Sequence, residues 1–214
     1  MTRASEVMNK AALLASDIGA PELAAALCWQ QYATFRHAAP LTVAAAILAV
    51  QPLVNLGRLA IRTGDPAAAY TLLASLLAAS SHEEEIQVLG RACTIGGLVG
   101  SDADRAELRL HLWAVLLADG TRALCAAGRW DDAVEHLHRY NGIGSKLLDG
   151  RQVAVLAALY RRDFATAADL VESAGGTALW ELAVASCLTT AISAADGLLC
   201  GSPWLRLREQ DLLR

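Results

Sequence analysis

Residues 55–77, NLGRLAIRTGDPAAAYTLLASLL, contain two helices and the turn that joins them, and their reading decides the fold. Leu53, Leu56 and Ala60 recur at helical spacing ahead of Gly64, and Asp65-Pro66 follow it. Each turn residue has a mechanism. Glycine tolerates the left-handed backbone at a helix C-terminus, an N-cap aspartate accepts from orphan N–H groups, and proline suits the first helical position. The second helix is predicted to bury a stripe of Ala69, Tyr70, Leu73, Leu76 and Leu77.

The same grammar recurs. Aligning Gly64 with Gly128 puts Ala69 on Ala133 and Leu73 on Leu137, and upstream it puts Asn55 on Asp119 and Arg58 on Arg122. A third copy follows 34 residues after Gly128, where Trp130 maps to Phe164, Ala133 to Ala167 and Leu137 to Val171. A period of this length, as between the last two copies, is the mark of a stacked helical repeat.

With that period, residues 50–80 and 115–175 resemble the tetratricopeptide repeat, whose unit of about 34 residues pairs two helices. The best match is GRWDDAVEHL, from Gly128 to Leu137, with Gly128 at the turn and Ala133 as the small residue where two helices touch. Leu56-Gly57 matches the family's Leu-Gly pair. The chain departs from the pattern where Ala60 and Leu124 replace the usual aromatic, and where Ser81 and Ser145 replace the terminal proline. The resemblance implies an all-α, TPR-like α-solenoid of stacked antiparallel helix pairs, with a concave groove that holds a protein or peptide.

Composition agrees with a helical, folded chain. Of 214 residues 55% are hydrophobic, which excludes disorder, and Ala and Leu dominate while aromatics reach only 5%. A net charge of −4 argues against a nucleic-acid-binding face. Lys10 and Lys146 are the only lysines, so basic charge is almost all arginine, as a GC-rich genome alone would produce. Cys28, Cys93, Cys125, Cys187 and Cys200 are scattered without a CxxC pair, which predicts reduced, buried thiols in a cytoplasmic protein. The first ten residues lack the apolar core of a signal peptide. The apolar runs at 41–50 and 182–195 are too short to span a bilayer and read as buried helices, so no membrane partner is expected.

Along the chain, 4–18 and 21–36 form a degenerate first pair, since aligning Gly19 with Gly64 puts Ala24 on Ala69. Pro52 lacks an N–H and predicts a kink or break near Gln51. Ser81 and Glu84 have capping-box spacing, which places a helix start at the acidic run Glu83, Glu84, Glu85. Gly-rich residues 92–104 read as an irregular insertion, and 103–127 as a long central helix. Trp130 anchors the best-formed repeat, so Trp130→Ala is expected to cost roughly 3–5 kcal/mol, the range for truncating a large buried aromatic. Further helices are predicted over 147–160 and 177–199, and an amphipathic capping helix from Trp204 to Arg214 covers the open end of one domain spanning 1–214.

Motifs for chemistry are few. His136 and His138, two apart on a helix, diverge and share no metal, and His37, His82 and His111 have no partner at ligand spacing. The stretch NGIGSK, residues 141–146, has a phosphate loop's residue types without its spacing or its preceding strand, and reads as a turn between helices. No nucleophile motif is present, Asp131 and Asp132 suit a helix first turn, and no cofactor is implied.

The candidate binding residues are polar positions in register. Asn55, Arg58 and Arg62 lie at i, i+3 and i+7 on one side of a helix, and Asp119 and Arg122 are the equivalents of the first two. Together they line the predicted groove and select an acidic or carboxylate-bearing partner, because guanidinium binds carboxylates through charge-assisted, bidentate bonds. Asp119 and Arg122 also have the i, i+3 spacing of an ion pair with each other. If Arg58 and Arg122 line the groove, replacing both by Ala weakens partner binding while leaving the helical content and melting temperature nearly unchanged. A non-catalytic binding module is the leading expectation. The alternatives are a helical enzyme or small-molecule-binding accessory protein, with a pocket between the repeats and the C-terminal helices, and a homo-oligomer formed through the Trp204 helix.

Overall fold

A computed structural model describes residues 2–199. The proposed capping helix at 204–214 lies outside the described residues, as does Cys200. The described chain is mostly helical with one small sheet, and it falls into two compact units, Met1–Arg129 and Trp130–Arg214. In the first unit, α1 (Thr2–Asp17), α2 (Pro21–Arg36), α3 (Val43–Arg62) and α4 (Pro66–Ala79) pack each on the next. A hairpin of β1 (Glu85–Val88) and β2 (Arg91–Thr94) follows, then α5 (Asp102–Val115) and α6 (Thr121–Ala126). The second unit holds α7 (Trp130–Arg139), α8 (Asp149–Tyr160), α9 (Phe164–Glu172) and α10 (Leu179–Leu199).

The turn chemistry recurs as the alignment predicts. Gly19, Gly64 and Gly128 all have positive φ, at 77°, 88° and 69°, and Arg162 takes 61° at the fourth equivalent position. At each one the chain closes the helix with the same pair of backbone bonds. Gly64 N–H donates to the Ile61 carbonyl at 3.2 Å and Asp65 N–H to that of Ala60 at 2.8 Å. Arg162 N–H and Asp163 N–H likewise reach the carbonyls of Leu159 and Ala158, both at 2.9 Å. This two-bond closure satisfies carbonyls that a helix end otherwise orphans. The next helix starts at once, with the Asp65 and Asp163 carboxylates accepting from Ala68 N–H and Thr166 N–H at 2.9 and 3.1 Å. Five residues after each turn stands a buried alanine: Ala24, Ala69, Ala133 or Ala167.

Several local expectations need correction. Pro52 does not break its helix: α3 runs from Val43 to Arg62 with Pro52 inside it. The lost backbone bond is outweighed by packing, since Ala49, Val50, Leu53 and Val54 around the proline are completely buried. By length and composition α3 is also long and apolar enough to cross a membrane, yet half of that stretch is buried inside the protein, as core helices are.

The second correction concerns the acidic run, which opens a hairpin and not a capped helix. Glu85 pairs with Thr94 and Val88 with Arg91 across a two-residue turn, in which Leu89 and Gly90 both have positive φ, the geometry that matches strand twist. The hairpin is held by one face of α2, at i, i+3 and i+7. Arg91 stacks 4.9 Å over the Trp29 ring, Tyr32 Oη bonds both the N–H and the carbonyl of Thr94 at 3.0 Å, and Arg36 pairs with Glu85 at 3.0 Å. The supposed irregular insertion is therefore largely structured, and Ile95 and Leu98 in it are buried.

Third, Trp130 is only half-buried, its ring 6.1 Å from that of the exposed Tyr160. The cost of Trp130→Ala therefore falls below the range for a fully buried aromatic. Of the thiols, Cys28 and Cys93 are buried, Cys125 is half-buried and Cys187 is exposed, so the expectation of uniform burial is corrected at Cys187.

His111 on α5 presents a pH prediction. Its Nε2 is buried without a hydrogen-bond partner, and burial holds its pKa below the ordinary histidine value. The native ring is therefore neutral at a pH where the unfolded chain, with a pKa of about 6.5, already binds a proton. The contribution is complete above that unfolded value and is lost as pH falls toward the lowered folded one. We expect His111→Phe to reduce the loss of denaturation midpoint between about pH 7.5 and pH 5.5. An equal loss in both proteins would show that His111 does not contribute to it.

Candidate functional site

All five predicted site residues lie in the first unit, and the structure joins four of them into one network around Asp119. The helical rod from α5 to α6 widens between Leu116 and Gly120 into a π turn, and Asp119 sits within it. Such turns are rare and concentrate at functional positions. The Asp119 side chain is 3% exposed. Arg58, reaching across from α3, donates to its Oδ2 from Nε at 3.0 Å and from Nη2 at 2.8 Å, while Arg122 Nη1 donates to Oδ1 at 2.5 Å. One buried carboxylate thus draws two guanidinium groups together, each still substantially exposed, at 42% and 61%. A buried charge needs such partners.

Asn55 extends the network toward α1. Its Oδ1 accepts from Gln51 Nε2 at 3.2 Å and from Arg58 Nη1 at 3.4 Å, and its Nδ2 donates to Asn9 Oδ1. Arg62, one turn beyond Arg58, stands outside this chain of bonds. Its Nη1 donates to Ser16 Oγ at 2.8 Å and to Asp17 Oδ1 at 2.5 Å. The polar row of α3 therefore faces α1 on one side and the π turn on the other.

Between them lies a cavity of about 260 Å³. Arg58, Arg62, Arg122, Asn55 and Ser16 form its polar wall, and its apolar wall includes Ala12, Leu13, Ala24, Cys28 and Leu59. Among the described residues no carboxylate lines it. Three cations against the carboxylates of Asp17 and Asp119 leave one positive charge at the site. Burial pushes the Cys28 thiol up to about 11, so at neutral pH it is a protonated, apolar wall element and not a nucleophile. Burial likewise raises the Cys93 and Cys125 thiols. Among the described residues no group of three or more His, Cys, Asp or Glu side chains is placed to hold a metal ion.

The sequence alignment found the arginines and Asp119, but not how they meet. Asp119 and Arg122 do form the i, i+3 pair, and Arg58 joins them. Both arginines thus hold an internal carboxylate, which removes the basis for expecting their double replacement to leave stability unchanged. Asn9, Ser16 and Asp17 were missed, because nothing in α1 signals that it faces α3. Comparison with protein-family profiles, characterised proteins and solved structures finds no match to this chain.

Proposed function

We propose that this protein is a non-catalytic, TPR-like helical-repeat module, an α-solenoid of stacked antiparallel helix pairs, that binds an acidic protein or peptide segment at its arginine-lined site. The observation that carries the reading is the recurrence of one local unit, in which a left-handed turn closes one helix and a buried alanine follows five residues later in the next. Repeats of this kind present side chains of successive helices to a common ligand. The site supports the acidic preference: Arg58, Arg62 and Arg122 line it, and its local charge is positive although the whole chain carries −4.

Selection from a displayed random-peptide library tests the reading. We expect enrichment of Asp and Glu on the wild-type protein, and loss of that enrichment on Arg62→Ala. Arg62 is the suitable variant because its partners, Ser16 and Asp17, are exposed or half-exposed. Recovery of the same peptides on both proteins, or no acidic enrichment on either, would count against the proposal.

A further inference from the structure

The cavity beside the arginines has a chemistry narrower than "acidic partner". From it we infer that the first unit binds a small amphiphilic monoanion, a free carboxylic acid on a short aliphatic chain, with the carboxylate on Arg62 and Arg122 and the chain against Ala12, Ala24 and Leu59. This rests on the reading above that the arginines receive a ligand.

Three observations set the class. The first is unspent donor capacity: among the described residues, Arg62 and Arg122 bond protein acceptors only through Nη1, which leaves Nε and Nη2 of each for a ligand. Those are the two atoms that grip a carboxylate side-on. Arg58 has less to give, since Nε, Nη1 and Nη2 each already donate. The second is charge. After Asp17 and Asp119 are counted, one positive charge remains, which matches a carboxylate better than a phosphate dianion. The third is size and lining. At about 260 Å³ the cavity lies below the ~300–1,000 Å³ of drug-sized sites, and much of its wall is apolar, so it admits a short chain and little more.

Titration calorimetry on the full chain with octanoate tests this, with octanol, octyl phosphate and a capped acidic peptide as comparison ligands. We expect saturable one-to-one binding of octanoate, at least tenfold weaker binding of octanol, and no gain for octyl phosphate. Arg62→Ala should weaken octanoate about tenfold or more, as loss of a charge-assisted bond does. Leu13→Trp, at a lining position 40% exposed, should block the chain without disturbing the core. Octanol binding as well as octanoate, octyl phosphate binding more tightly, or wild-type affinity in both variants would overturn the inference. If octanoate fails while acidic peptides still bind through Arg62, only this inference falls. Failure of both ligands removes the partner-binding reading as well.

Discussion

Replacing Arg58 and Arg122 together by Ala is expected to destabilise the protein by about 3 kcal/mol, near the low end of the cost of orphaning a buried charge. The cause is Asp119. Its carboxylate is almost fully buried and receives three hydrogen bonds from the two guanidinium groups. Water reaches the arginines, which are 42% and 61% exposed, and can enter partly when they are cut back, so the upper end of the range is not expected. Urea denaturation of the double variant measures the loss, and adding Asp119→Asn should recover most of it by removing the charge that needed neutralising. An unshifted midpoint in the double variant would show that the pairing contributes nothing to stability. The result also bears on function: loss of partner binding in that double variant is uninterpretable unless folding is shown intact, and for that reason Arg62 is the better probe.

Local grammar was legible in the sequence because it rests on residues that act within one turn. Gly64 and Asp65-Pro66 specify their cap and restart through backbone geometry alone, and the structure places α3 and α4 on either side of them. The hairpin was not legible. It is four residues per strand, and its acidic first residues satisfy a helix-start pattern equally well; what decides between them is the Trp29, Tyr32 and Arg36 face of α2, whose bonds to the hairpin span 49 to 62 residues of chain. The candidate site divides in the same way. Register alone paired Asn55 with Asp119 and Arg58 with Arg122, yet the bond from Arg58 to Asp119 depends on a π turn that no residue type announces. The apolar wall from α1 and α2 is equally invisible, because Ala12, Ala24 and Cys28 read as ordinary core positions.

Leu73→Ala is the other large effect, expected to cost roughly 3–4 kcal/mol from lost transfer energy and the cavity left behind. Leu73 is buried at the contact between α3 and α4, against Gly57, the glycine of the Leu-Gly pair. A Cβ built on Gly57 meets Leu73 Cδ2 at 3.2 Å and Cγ at 3.3 Å, so a methyl group at 57 would make the leucine give way by a few tenths of an ångström. That contact makes the two positions dependent on each other. In the wild type, Gly57→Ala gains about 1 kcal/mol of helix propensity and loses a comparable amount by pushing Leu73 from its place. With Leu73 already cut to Ala the clash is gone, and the propensity gain should appear almost whole while the new methyl fills part of the void. The double variant Gly57→Ala, Leu73→Ala should therefore be more stable than Leu73→Ala alone by about 1 kcal/mol, with a coupling of at least ~0.5 kcal/mol between the sites. Chemical denaturation of the four proteins in the cycle measures it. Strictly additive losses would mean that α3 and α4 do not close on each other through Gly57 and Leu73.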